Sequence, residues 1–133
     1  MIRGVADTHA VIWYVFADLR LSATAKAFIA TAAGAGDQVA VSAMTNAEIV
    51  YLREKGRVSP TTLQRIQIVL DAPDSDLLLI PFDRPIAETL PQIERAKVPD
   101  LPDRIIAATA LYLGMPLISK DARIQTAGLT TIW

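Results

Sequence analysis

The stretch Pro99-Asp100-Leu101-Pro102-Asp103-Arg104-Ile105-Ile106-Ala107-Ala108-Thr109-Ala110 places two carboxylates at the mouth of an apolar helix. Asp100 reads as its N-cap residue, Pro102 falls in the first turn, and Asp103 lies three residues past the cap. Behind them Ile105, Ile106 and the alanines make a narrow rod with almost no polar face, the pattern of a helix buried on most sides. Acids in such a place have an ordinary explanation, because they complement free N–H groups and the positive end of the helix dipole. Where the other acids of the chain fall gives them a second one.

Outward from this helix, short apolar strands alternate with helical stretches. Residues 2–6 read as a buried strand ended by Asp7, and residues 10–16 as a buried helix. Ser22 caps a second helix over residues 23–33, which Gly34-Ala35-Gly36 ends. A strand over residues 39–42 leads to a helix opened by Thr45 and stopped by Gly56. Ser59-Pro60 starts another, with Leu63, Ile66, Val69 and Leu70 on one side. Residues 77–82 are apolar throughout, as expected of a strand covered on both faces. Asp83-Arg84-Pro85 begins a helix that Pro91 must break or kink. The central helix covers residues 103–113 and is followed by a strand at Leu117-Ile118-Ser119, a turn at Lys120-Asp121-Ala122-Arg123, and a last strand over residues 129–133. This alternation predicts an α/β protein, with a mostly parallel sheet of four to five strands between helices. Neither a repeat nor a linker interrupts it, so residues 1–133 read as one domain. Right-handed crossovers gather the loops at the strand C-terminal ends along one edge, where open α/β sheets bind ligands.

At 133 residues, 52% hydrophobic and 20% charged, the chain has the composition of a folded domain with one core. It has no cysteine and one histidine, His9, which excludes thiolate catalysis and zinc–sulfur sites and leaves multi-histidine metal sites little to draw on. Thirteen basic against fourteen acidic residues give a net charge of −1, without the overall basic footprint of an obligate nucleic-acid binder, although local patches remain open. No apolar run is long enough to span a bilayer, and Asp7 interrupts the first apolar segment too early for a signal peptide, so a cytoplasmic location is expected.

Asp7 follows the first strand, Thr45 and Glu48 the second, and Asp121 the fourth; Asp100 and Asp103 open the helix before the fourth. On a parallel sheet Asp7, Glu48, Asp103 and Asp121 should converge at one edge, with Asp100 beside them. Carboxylates so gathered repel one another unless some take up protons or a cation lies between them. With only oxygen ligands on offer, that cation is a hard one, Mg²⁺ or Mn²⁺. The chemistry that needs such a set is metal-assisted phosphoryl hydrolysis. Each acid also has a plain reading by itself. Asp7 serves as the N-cap of the helix that follows, Thr45-Asn46-Ala47-Glu48 matches a capping box, and Asp121 suits a turn. Thr45 and Ser119 are candidates to orient metal-bound water, and Arg104, Lys120 and Arg123 to hold substrate phosphates. Arg53, Lys55 and Arg57 form a second basic cluster at the end of the third helix; phosphate positioning is open to it too, but solvated surface or pairing with acids is the preferred reading.

Four segments carry a family resemblance: Val5-Ala6-Asp7-Thr8-His9; Val41-Ser42 through Ala47-Glu48-Ile49; Asp103-Arg104-Ile105-Ile106-Ala107-Ala108-Thr109-Ala110; and Leu117-Ile118-Ser119-Lys120-Asp121. In order and spacing the chain resembles the PIN-domain ribonucleases, and among them the VapC-like toxins of toxin–antitoxin systems. The resemblance implies a three-layer α/β/α fold, an acidic site for Mg²⁺ or Mn²⁺, cleavage of RNA, a homodimer, and inhibition by a cognate antitoxin. Family acidic positions fall on Asp7, Glu48, Asp103 and Asp121, with Asp100 at a position often acidic. Thr45 stands where many relatives carry serine, and residues 91–98 depart from the shorter, His-containing segment of many relatives. A competing reading is a non-catalytic α/β protein-interaction module, suggested by the apolar composition and the lack of net positive charge. A phosphatase using Asp7 as nucleophile is weaker, because His9 stands where a second aspartate would be expected.

Overall fold

In a computed structural model that describes residues 1–133, five strands form one sheet in the order β3-β2-β1-β4-β5, every pair parallel. The elements follow as β1 (Ile2–Ala6), α1 (Thr8–Val15), α2 (Ala23–Gly34), β2 (Gln38–Ser42), α3 (Ala43–Glu54), α4 (Thr62–Asp71), β3 (Leu77–Ile80), α5 (Arg84–Thr89), α6 (Leu101–Leu113), β4 (Leu117–Ile118), α7 (Ala122–Thr126) and β5 (Thr131–Ile132). The alternation of side chains along each strand feeds two cores. Ala6, Val39, Val41 and Ile118 face α1 to α4, while Val5, Ala40 and Leu117 face α5, α6 and α7. The result is the expected three-layer α/β/α sandwich.

The chain moves from β1 outward to β3, then returns to place β4 on the other side of β1. The strand order therefore reverses between β1 and β4, and a crevice opens at their C-terminal ends, where ligands of open α/β sheets bind. The helix quoted at the outset is the predicted rod. α6 buries six consecutive residues, Ile105 to Ala110, and ends at Gly114 in the left-handed conformation at φ 66°.

Three expectations need correction. β3 is not covered on both faces: it is an edge strand, paired only with β2, and Leu78 and Leu79 are partly exposed. Thr45 does not open α3. Ser42 caps it, its Oγ accepting from the Met44 N–H at 3.1 Å, so helix follows strand with no loop between them. Residues 122–126 make the short helix α7 rather than a plain turn, capped by Asp121. Pro91 acts as expected, since α5 gives way at Leu90 to a single 3-10 turn.

Candidate active site

Asp7 leaves β1 and caps α1, its Oδ1 accepting the Ala10 N–H at 2.9 Å. The capping role is real, and it engages only one oxygen. Burial pushes the Asp7 carboxyl above its ordinary range; the Ser119 hydroxyl, the Ala10 amide and His9 oppose that rise, and the charge of Asp121 adds to it. Ser119, buried at the end of β4, also accepts the Asp121 N–H at 3.0 Å. One hydroxyl thus ties together the two strand ends that flank the crevice.

Glu48 lies in the second turn of α3 and does not reach back to cap it, so the capping-box reading fails. The Thr8 hydroxyl donates to Glu48 Oε1 at 2.6 Å and sits 3.1 Å from the hydroxyl of fully buried Thr45. Since Thr8 donates its one proton to Glu48, Thr45 must donate to Thr8. The start of α1 thereby fixes the rotamer of an acid on α3. We expect Thr8→Val, similar in shape but unable to donate, to cost about 1–2 kcal/mol of stability. It should weaken divalent-cation affinity by roughly 10–100-fold, as loss of an outer-shell partner does. Calorimetric metal titration and denaturant unfolding check the two effects.

At the mouth of α6, Asp100 occupies the N-cap position, yet its side chain accepts no capping hydrogen bond. Its carboxylate stands beside Asp103 and Glu48 instead: the three residues each offer an oxygen within 4.8 Å of the others. Asp103 is pushed up to about 7, first by burial, then by the charges of Asp100 and Glu48, by a hydrogen bond with Asp100, and by Asp121. Asp121 is held below the usual carboxylate range by Arg123, which grips it with two guanidinium contacts at 2.8 and 3.1 Å and donates its backbone N–H at 2.9 Å. The same guanidinium is 4.0 Å from Asp103.

All five acids line one cleft of about 1010 Å³. The tightest trio is Glu48, Asp100 and Asp103, so Asp100 is more central than an auxiliary position suggests, while Asp7 and Asp121 gather around Ser119, and Asp121 is linked to Asp103 through Arg123. Of the basic candidates, Lys120 lines the cleft, and Arg123 lines it as counter-ion to the acids. Arg104 does not belong there. Its guanidinium donates to the Ile93 carbonyl at 2.7 Å and the Leu90 carbonyl at 3.0 Å, which consumes it in tying α6 to the 3-10 turn. Thr8, which follows Asp7 directly, joins the site without having been singled out, and Lys55 and Arg57, read as solvated surface, line the cleft, Lys55 seven residues after Glu48 on the same helical face. Oxygen donors crowded until one of them holds a proton near neutrality suit a hard divalent ion, and the donor set offers no sulfur.

The PIN domain model matches residues 5–128. Among solved structures, VapBC2 from Rickettsia felis, determined bound to a DNA fragment from its promoter, is similar over 98% of this chain and 97% of that chain, with a TM-score of 0.71 at 16% identity. FitAcB from Neisseria gonorrhoeae is similar over 98% and 96%, with a TM-score of 0.59 at 23% identity. No curated protein matches the chain by sequence. A match over nearly the whole length, on a parallel sheet whose crevice collects these acids, places the chain in the PIN domain family.

Proposed function

We propose that this protein is a metal-dependent endoribonuclease that hydrolyses RNA phosphodiester bonds, and that it is the toxin of a toxin–antitoxin pair. The observation that carries the reading is the crowding of Glu48, Asp100 and Asp103, with Asp103 raised to about 7. A carboxyl in that state is poised to exchange its proton for a cation. Glu48, Asp100 and Asp103 would hold Mg²⁺ or Mn²⁺, with Asp7 and Asp121 in the same cleft. When bound, such an ion polarises a phosphoryl oxygen and acidifies water. The Ala10 amide and the Ser119 hydroxyl fix the Asp7 carboxyl at the crevice, as a candidate to accept a proton from an attacking water. Thr8 keeps Glu48 in one rotamer, Arg123 keeps Asp121 ionised, and Lys120 is placed to meet a substrate phosphate.

The toxin role rests on the family and on structural similarity to VapBC2. Ile68, Leu78, Leu79, Phe82 and Tyr112 expose apolar surface away from the cleft, which suits a homodimer or a bound antitoxin. No helix is long and apolar enough to cross a membrane. A cytoplasmic location accords with an RNA substrate. The non-catalytic reading gives the opposite result in one experiment. The purified chain is expected to cleave RNA with Mg²⁺ or Mn²⁺, to stop on chelation, and to lose the activity in Asp7→Asn. Undiminished cleavage by that variant would overturn the mechanism, and a folded chain that neither binds the cation nor cleaves RNA would leave the interaction module standing.

A further inference from the structure

The cleft extends well beyond its acids. Along α3 the residues Met44, Glu48, Tyr51, Leu52 and Lys55 all line it, at the spacing of one helical face. With 1.5 Å of rise per residue, Lys55 lies about 10 Å along the axis from Glu48. α3 then closes at Gly56, in the left-handed conformation at φ 69°. The Gly56 N–H donates to the Arg53 carbonyl at 2.9 Å and the Arg57 N–H to the Leu52 carbonyl at 2.8 Å. That closure turns the chain back and sets Arg57 on the cleft wall next to Lys55.

The cations of the cleft fall into two groups. Arg20 is gripped by Asp18 and covers the Trp13 ring at 5.2 Å, and Arg123 is gripped by Asp121. Lys55, Arg57 and Lys120 stand outside every ion pair of the structure and make no side-chain hydrogen bond; Lys120 follows β4 beside Asp121, among the acids, so Lys55 and Arg57 are the unpaired cations at the far end of α3. A lysine at a helix C-terminus has an ordinary reason to be there, because it complements the dipole. Arg57 lies beyond the helix and lacks that reason. Between these cations and Glu48 stands Tyr51, an aromatic ring 63% exposed inside the same cleft.

We infer that Lys55 and Arg57 are positioning residues that hold backbone phosphates of an unpaired RNA strand beside its cleavage point, with Tyr51 as a stacking platform for one base between them and the acids. The inference rests on the ribonuclease reading and adds the path of the substrate. Free cations suit phosphates, and an exposed ring suits a base that is not already stacked in a duplex. The path has direction: the strand is anchored by Lys55 and Arg57 at the end of α3 and is cut at the acids, where Lys120 meets a phosphate.

The test uses the full chain, a single-stranded RNA oligonucleotide and its duplex, with Mn²⁺. In K55Q/R57Q, KM for the single strand should rise about tenfold at 0.15 M salt, with kcat within twofold of the parent. The dependence of log kcat/KM on log salt should lose about 1.4 of its slope, near 0.7 for each phosphate contact removed. The exchange K55R/R57K keeps both charges and should keep KM. Y51A should raise KM for the single strand, and Y51F should not. A double variant with unchanged KM and salt slope, or a duplex cut as readily as the single strand, overturns the path while leaving the nuclease intact. A parent chain that cleaves no RNA overturns the nuclease reading itself.

Discussion

Asp103→Asn should make the metal-free protein more stable and at the same time abolish its cleavage of RNA. Asp103 is raised to about 7 by burial and by Asp100 and Glu48, against 3.8 for an unperturbed aspartate. Between those values the folded protein holds a proton that the unfolded chain has lost. Stability from this group is therefore full below about pH 4 and is lost as the pH rises through about 7. Asp7, raised by burial, acts with the same sign; Asp121, lowered by Arg123, acts oppositely, but only below about pH 4. Asparagine removes the charge while keeping the shape. The Asp103 side chain is 29% exposed, and after solvent screening the gain at pH 8 is about 1–2 kcal/mol, or roughly 3–8 °C in Tm. Adding Mn²⁺ should reverse the order, because only the parent binds it well, and binding at a hundred times Kd is worth about 2.7 kcal/mol. Loss of cleavage should exceed the roughly 10–100-fold that an outer-shell partner is worth. Melting curves of both proteins at pH 8, with and without Mn²⁺, decide the matter: curves that keep one order throughout would show that the charge at Asp103 does not serve a cation.

Arg104→Ala should be the most damaging change among the basic residues, through stability alone. Its guanidinium is the donor for both the Ile93 and Leu90 carbonyls, in a part-buried setting behind the mouth of α6. Hydrogen bonds from a charged group are each worth about 1.5–3 kcal/mol, and two carbonyls would lose their partner together. A loss of about 3 kcal/mol or more, near 10 °C in Tm, follows. A lysine cannot reproduce the forked geometry and should recover only part of it. At a temperature where the variant is folded, its KM for RNA should match the parent. A raised KM at unchanged stability would return Arg104 to the substrate.

Much of the fold is legible in the sequence because it is written in local patterns. Gly114 after the apolar rod, Pro91 inside a helix, and four-residue apolar runs between helices each state their element. The acids were legible as a set, since strand ends in a parallel sheet share an edge. What was not legible depended on tertiary neighbours. Leu77 to Ile80 is as apolar as an inner strand, and only the sheet order makes it an edge. Thr45 has the right spacing to Glu48 for a cap, but Ser42, three residues earlier, takes that place, and Thr45 is turned inward to Thr8. Arg104 follows an acid of the site directly, and one step around a helix is enough to send it to the other side. Lys55 and Arg57 look like surface until α3 presents Lys55 on the face of Glu48 and Gly56 turns Arg57 back beside it.

The passage from β2 into α3 without an intervening residue makes the centre's geometry an inherited property of the sheet. Sliding β2 by one position against β1 would exchange Val39 and Val41 for Ala40 in the two cores and carry α3 with it, taking Glu48 out of reach of Thr8. No slack exists there to absorb such an error. Chains that mispair during folding would thus emerge inert, and cation affinity should appear in step with sheet formation when refolding is followed in time.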